Sequence, residues 1–168
     1  MRKAIYAGTF DPITNGHLDI IKRSLTLFDE VYVVMFVNPD KKTLFSVAER
    51  LALIQEAVKD LQGVHVDYSD ALAVEYAEKV GATAMVRGLR ATQDYHYESM
   101  MAYANQYLDH NIEMVFLMTQ LSYTFISSSA VKEIASHHRD VSSLVPACVD
   151  EALKKKYLEE ELRKIIRV

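Results

Sequence analysis

Three short stretches of the 168-residue chain concentrate groups that can grip an anion. The first, Gly8-Thr9-Phe10-Asp11-Pro12-Ile13-Thr14-Asn15-Gly16-His17, joins an apolar run to a segment of helical periodicity. A helix that starts directly after a strand turns unpaired N–H groups and the positive end of its dipole toward the intervening loop. Gly16 lets a ligand approach the backbone closely, and His17 on the first turn offers a cationic or hydrogen-bond-donating imidazole to a phosphate oxygen. By itself a histidine there can equally serve as a cap or a surface residue. The second stretch is Arg87-Gly88-Leu89-Arg90, whose arginines can donate planar, charge-assisted bonds to phosphate or form structural ion pairs. The third, Ile126-Ser127-Ser128-Ser129, brings hydroxyls and free amides to another helix start, either as a second phosphate-sized site or as a plain serine cap.

The elements that must position these groups are readable from periodicity. Ala4 to Ala7 is a short apolar strand closed by Gly8, and Leu18, Ile21, Leu25 and Phe28 recur at helical spacing after it. Val31 to Val37 is a near-continuous β-favouring run, as in a strand covered on both faces. After the polar loop carrying Lys41-Lys42, Ser46 and Glu49 form a capping-box signature, with Val47, Leu51, Ile54, Val58 and Leu61 as the buried stripe of the helix that follows. Val64 to Tyr68 predicts a third strand, Ser69-Asp70 a cap for a helix over about 71–80, and Gly81 its C-terminal stop. Thr83 to Val86 predicts a fourth strand running into the Arg87-to-Arg90 block, then a tyrosine-rich helix over about 94–108. Glu113 to Met118 predicts a fifth strand, Thr119 to Ile126 a loop, Ser127 to Ser129 the cap of a helix reaching about Ser136, and Pro146 the start of the last helix.

Strands and helices alternating in this way predict an α/β fold: a single Rossmann-like, doubly wound, five-stranded parallel sheet with helices on both faces, one domain over 1–168 that includes a C-terminal helix at about 146–167. In such sheets ligands lie beyond the carboxyl ends of the strands, where all three stretches and Lys41-Lys42 fall.

Composition narrows the chemistry. With glycine only at 8, 16, 63, 81 and 88, neither a dinucleotide fingerprint nor a P-loop can be present. The absence of H-E-x-x-H, C-x-x-C and acidic calcium-loop patterns argues against a protein-held metal, and His137 and His138 read as solvated surface residues. A net charge of -4 argues against a nucleic-acid-binding surface, and the single cysteine, Cys148, excludes an internal disulfide. With no signal-peptide pattern and no apolar run long enough to span a membrane, the expectation is a cytoplasmic protein.

In wording, order and spacing, Gly8 to His17, Arg87 to Arg90 and Phe125-Ile126-Ser127-Ser128-Ser129 resemble the bacterial phosphopantetheine adenylyltransferases, nucleotidyltransferases related to class I aminoacyl-tRNA synthetases. The likeness covers nearly the whole length. Ala7 stands where that family usually has proline, and Thr119 to Tyr123 departs from its common loop wording. The resemblance implies transfer of AMP from ATP to 4′-phosphopantetheine, giving dephospho-coenzyme A and pyrophosphate. A phosphate monoester is mostly dianionic at pH 7, so direct in-line attack needs no general base.

The resemblance also assigns residues. His17 steadies the transition state and, with Thr9 and Phe10, contacts ATP. Gly88, Leu89, Arg90 and Glu98 line the ATP site, which Tyr123, Thr124, Phe125, Ile126, Ser127, Ser128 and Ser129 close over. Thr9, Lys41, Leu72, Arg87 and Asn105 hold the acceptor. It further implies Mg2+ carried with ATP and a homohexamer. Of Tyr95, Tyr97, Tyr103 and Tyr107, the spacing of four puts 103 with 107 on one helix face, read as packing or subunit contact rather than base stacking. Two other readings remain: an adenylyl- or cytidylyltransferase acting on nicotinamide mononucleotide or a phospho-alcohol, and a regulatory module that binds ATP without turning it over.

Overall fold

The computed structural model describes residues 1–37 and 42–166, with Gln93 and 164–166 described as backbone only. Five parallel strands form one sheet: β1 (Lys3–Gly8), β2 (Glu30–Phe36), β3 (Val64–Ser69), β4 (Ala84–Leu89) and β5 (Glu113–Met118). Between and after them run α1 (Asn15–Ser24), α2 (Val47–Val58), α3 (Ala73–Val80), α4 (Thr92–Leu108), α5 (Ser128–Ser136) and α6 (Ala147–Ile166), with a 3₁₀ turn at Leu121–Tyr123. The strand order is β3-β2-β1-β4-β5. The chain therefore winds outward from β1 in one direction, returns, and winds outward in the other. Where β1 and β4 lie side by side, their following segments diverge and open a crevice at the carboxyl ends of the strands.

Period-two alternation divides the strand residues between two cores. Ala4, Tyr6, Val31, Val33, Met35, Ala84 and Val86 face Ile20 and Ile21 of α1, Ile54 of α2, Val131 of α5 and Val149 and Leu153 of α6. Ile5, Val34 and Met85 face the opposite way, toward Val74, Tyr76 and Ala77 of α3. Burying each Val, Leu, Ile or Met among them is worth about 1.5–3 kcal/mol, so the larger core beneath α1 and α5 holds the site-bearing helices in place. Among the described residues no helix is long and apolar enough to cross a membrane.

Local chemistry sets the element boundaries. Ser46 Oγ accepts from the Glu49 amide while Glu49 Oε2 accepts from the Ser46 amide, the reciprocal box read from the sequence. Gly81 closes α3 in the left-handed region (φ 69°).

Several expectations shift. Helix α3 begins at Ala73, capped by Leu72, because Ser69 Oγ is spent on the Ala71 amide in a tight turn and Glu75 takes the Leu72 amide instead. Helix α1 ends at Ser24, which leaves Phe28 beyond it although still packed on the core. Strand β4 continues through Arg87, Gly88 and Leu89, which pair with Phe116, Leu117 and Met118; the block read as a loop is the end of a ladder. His137 caps α5 and His138 follows it with φ 54°, its Nε2 2.8 Å from Glu161 Oε1; both are exposed, in keeping with their reading as surface residues.

Candidate active site

Strand β1 delivers the chain to the crevice at Gly8, where a Cβ would lie 2.8 Å from the folded-back Phe10 ring. Any larger residue there would have to displace that buried ring. Phe10 itself has φ 48°, and its ring is buried edge-on against Tyr6 (5.6 Å) and His17 (5.1 Å). The loop is tied down from two helices. Arg50 of α2 donates to the Thr9 carbonyl at 2.9 Å. Lys132 of α5 reaches Asp11 Oδ2 at 2.6 Å, while the Asp11 oxygens also accept from the Leu44 and Phe45 amides, both at 3.0 Å. Burial pushes the Asp11 carboxyl up, but Lys132 and these two amides outweigh it and hold the carboxyl below its ordinary range.

Thr14 caps α1 and orients the imidazole. Its amide donates to His17 Nδ1 at 3.0 Å, and its hydroxyl lies 3.1 Å from the same nitrogen. A ring nitrogen that accepts a main-chain N–H carries no proton, so the hydrogen sits on Nε2. Burial first, then the positive charges of Arg90 and Arg87, lower the His17 pKa to about 4. Of the two forms the sequence allowed, the structure selects the neutral donor.

Helix α5 closes the opposite side. Ser127 caps it by accepting from the Ala130 amide at 3.0 Å, and Ser128 Oγ donates to the Pro12 carbonyl at 2.7 Å. The serines thus serve both as cap and as a strut to the first loop, and the first-turn amides of a nine-residue helix face the crevice. From β4, Arg87 forms a fork with Glu98 of α4 (Nε–Oε2 2.7 Å, Nη2–Oε1 2.6 Å) and also donates to the Ala7 carbonyl. Arg90 pairs with Asp94 at 3.1 Å and reaches the Ile126 carbonyl at 3.4 Å.

These walls enclose a cavity of about 340 Å³. Residues from all three anion-gripping stretches line it: Thr9, Phe10 and His17; Arg87, Gly88 and Arg90 with Glu98; and Ile126, Ser127, Ser128 and Ser129.

A cytidylyltransferase-like family model matches residues 5–134. A phosphopantetheine adenylyltransferase from Caldanaerobacter subterraneus subsp. tengcongensis is 50% identical over 157 residues, which is 94% of this chain and 98% of that protein. The chain belongs to the phosphopantetheine adenylyltransferase family. A solved structure from Vibrio parahaemolyticus, provisionally assigned as a nicotinate-nucleotide adenylyltransferase, superposes with a TM-score of 0.68 at 20% identity, covering 91% of this chain and 99% of that one. At that identity the likeness speaks for the fold alone.

Other residues assigned through the family lie away from the cavity wall. Leu89 is buried at the end of β4, and Tyr123, Thr124 and Phe125 lie at and just after the 3₁₀ turn that precedes α5, with Phe125 66% exposed. Leu72 is 54% exposed at the start of α3, so it is not a core residue. Asn105 lies on α4 with Nδ2 3.9 Å from Met114 Sδ. Lys41 lies outside the described residues. Tyr95, Tyr97, Tyr103 and Tyr107 all have exposed rings.

Sequence reasoning missed Asp11 as a junction, Lys132 and Asp94 as lining groups, and Tyr6 beneath them. Lys132 had a usable signal: it stands four residues after Ser128, hence on the same helix face. Asp94 stands four after Arg90, but that spacing became meaningful only once β4 was seen to run on to Leu89.

Proposed function

We infer that this protein transfers AMP from ATP to 4′-phosphopantetheine, releasing pyrophosphate and forming dephospho-coenzyme A. The observation that carries this reading is the 50% identity to a phosphopantetheine adenylyltransferase across nearly the full length of both chains. The cavity chemistry supports it. The acceptor phosphate, with a second pKa near 6, is already a nucleophile at neutral pH. Its oxygen forms a bond to the α-phosphorus while the bond from that phosphorus to the bridging oxygen breaks, and the electron pair leaves with pyrophosphate. No proton has to be removed first. Catalysis is therefore positioning and charge stabilisation, for which a fixed Nε2–H at His17 is suited: it donates to the oxygen on which charge grows and has no proton to lose at working pH. The α5 N-terminus suits the leaving phosphates, and Arg90 bridges the two regions through its contact with the Ile126 carbonyl.

On the acceptor side we assign Thr9, Lys41, Leu72, Arg87 and Asn105; on the ATP side Phe10, Gly88, Leu89, Arg90, Glu98 and the segment Tyr123 to Ser129. Magnesium is proposed to enter on the ATP phosphates, whose charge it offsets. The carboxylates lining the cavity are each held by a cation, Asp11 by Lys132, Glu98 by Arg87 and Asp94 by Arg90, and no metal-binding cluster occurs among the described residues. That donor set suits an ion brought by its own phosphate oxygens rather than a protein cage. A homohexamer in the cytoplasm completes the proposal, and light scattering at micromolar protein tests its mass, a monomer counting against it.

The deciding assay measures pyrophosphate release from ATP with 4′-phosphopantetheine, with nicotinamide mononucleotide, and with no acceptor. Release with the first alone supports the reading. Release with the second points to a related transferase, and ATP binding without release in any arm points to a regulatory module.

A further inference from the structure

Tyr6 carries a hydroxyl with no hydrogen-bond partner among the described residues. Its side chain points from β1 into the core beneath α1 and is 5% exposed, and what remains open lines the active-site cavity. No hydrogen bond to its hydroxyl occurs among the described residues. Among the described residues the fully enclosed side-chain polar atoms that lack partners are Arg50 Nε and Asp150 Oδ1, and the Tyr6 oxygen is not one of them. It therefore keeps contact with solvent, and the cavity is the solvent it meets. A buried tyrosine hydroxyl ordinarily finds a partner, so one aimed into a ligand cavity is placed for a partner that arrives with the ligand.

The surroundings define that partner's chemistry. The Tyr6 ring centroid lies 6.4 Å from that of His17 and 5.6 Å from that of Phe10, so the hydroxyl belongs to the same side of the cavity as the imidazole. The charges it senses are Arg87 and Arg90, opposed by Glu98 and Asp19. Burial first of all raises the phenol pKa, so the hydroxyl stays protonated at any working pH. The site thus presents a neutral O–H beside a neutral Nε2–H, with two guanidinium groups near enough to attract an anion.

We propose that Tyr6 is a substrate-contacting residue whose hydroxyl donates a hydrogen bond to an anionic phosphate oxygen of the bound nucleotide on the His17 side of the cavity. This rests on the adenylyl-transfer reading above and adds a contact from β1 itself, beneath the loop that carries the family motif. Ala7, the next residue, is held through its carbonyl by Arg87, whereas the Tyr6 hydroxyl on the same strand has no such partner among the described residues.

The test is Tyr6→Phe, which removes one oxygen and keeps the ring that packs on Phe10. Wild type and variant are compared for kcat and KM with ATP and 4′-phosphopantetheine, for ATP affinity by calorimetry, and for Tm. Loss of a hydrogen bond to a charged group predicts a fall in kcat/KM of about tenfold to a hundredfold with Tm nearly unchanged. A purely structural role would move Tm and leave kcat/KM of the folded enzyme alone. Unchanged kcat/KM overturns the proposal. If wild type itself shows no turnover, the functional reading fails separately, and calorimetry decides for Tyr6: about tenfold weaker ATP binding by the variant supports the contact, and equal binding overturns it. A variant that loses stability is judged by the same affinity, measured at a temperature where it is folded.

Discussion

Two walls of the same cavity solve the problem of meeting an anion in opposite ways. On one, His17 is neutral, its Nδ1 held by Thr14 and its ring wedged against Phe10, so a single oriented N–H is offered with nothing to displace. On the other, Arg87, Arg90 and Lys132 carry full charge, yet each is already paired, with Glu98, Asp94 and Asp11 respectively. A lone cation enclosed among apolar side chains would be costly to desolvate, so pairing is what allows positive charge to be placed there at all. The consequence is a division of labour. Contacts to the charged wall are partly an exchange of one carboxylate for one phosphate and contribute mainly to grip. The neutral donor gains its full hydrogen bond only where charge develops, and so contributes mainly to rate.

The largest effect that would break this contrast is at His17. His17→Ala is expected to lower kcat by about 10²–10³-fold, the scale of losing one preorganised donor, with a small change in KM, and steady-state kinetics checks it. An unchanged kcat with a raised KM would make His17 another gripping group. Next in size is the charged wall's anchor. Asp11→Asn leaves Lys132 without its counter-charge and weakens the hold on the Leu44 and Phe45 amides, and it should cost about 2 kcal/mol of stability in denaturant melts, less than a fully buried pair because Lys132 retains some solvent. Since the native Asp11 carboxyl is held below its ordinary pKa, its contribution is complete above about pH 4 and is lost as pH falls further. The Asn variant should therefore differ from wild type at pH 7 and converge with it in acid.

The contrast itself was only half legible in the sequence. The sheet, its five strands and the helix starts followed from period-two and period-3.6 patterning and from Ser46-Glu49, Gly81 and Ser127, all local signals. His17 was legible as an anion-facing group because its loop lies between a strand and a helix. Its protonation state was not, because that depends first on burial in the folded site, then on two arginines some seventy residues away in the chain, and on the Thr14 amide. The pairing of Arg87 with Glu98 was equally hidden: reading β4 as ending at Val86 obscured how the strand and α4 bring the two together. Lys132 and Asp11 are 121 residues apart, and nothing local in either segment announces the other.

A milder perturbation of the charged wall probes whether its fork geometry matters beyond its charge. Arg87→Lys keeps the positive charge but cannot make both bonds to Glu98 and reach the Ala7 carbonyl, so kcat/KM for the acceptor should fall about tenfold, mostly through KM. A change in kcat alone would place Arg87 with His17.

The smallest effect is the most discriminating, because it separates the walls by pH. If His17 is a neutral donor, raising the pH through 6.5 changes nothing at that residue: with its pKa lowered to about 4, the imidazole is uncharged across the working range. The acid limb of kcat/KM must then come from the acceptor phosphate and lie near pH 6, falling about tenfold per pH unit below it. The same limb, at the same pH, should persist in His17→Ala at its lower rate. Stability runs alongside in the expected sense. In the unfolded chain the imidazole takes up a proton below about pH 6.5, whereas in the native site it does so only near 4. Unfolding therefore binds a proton in that window, and wild-type stability declines as pH falls through it. His17→Ala lacks this dependence, so its denaturation midpoint should vary less between pH 7 and pH 4.5. A rate limb that disappears in the variant, or two stability profiles that run parallel, would mean that the imidazole is charged in the native site and that both walls work by the same electrostatics.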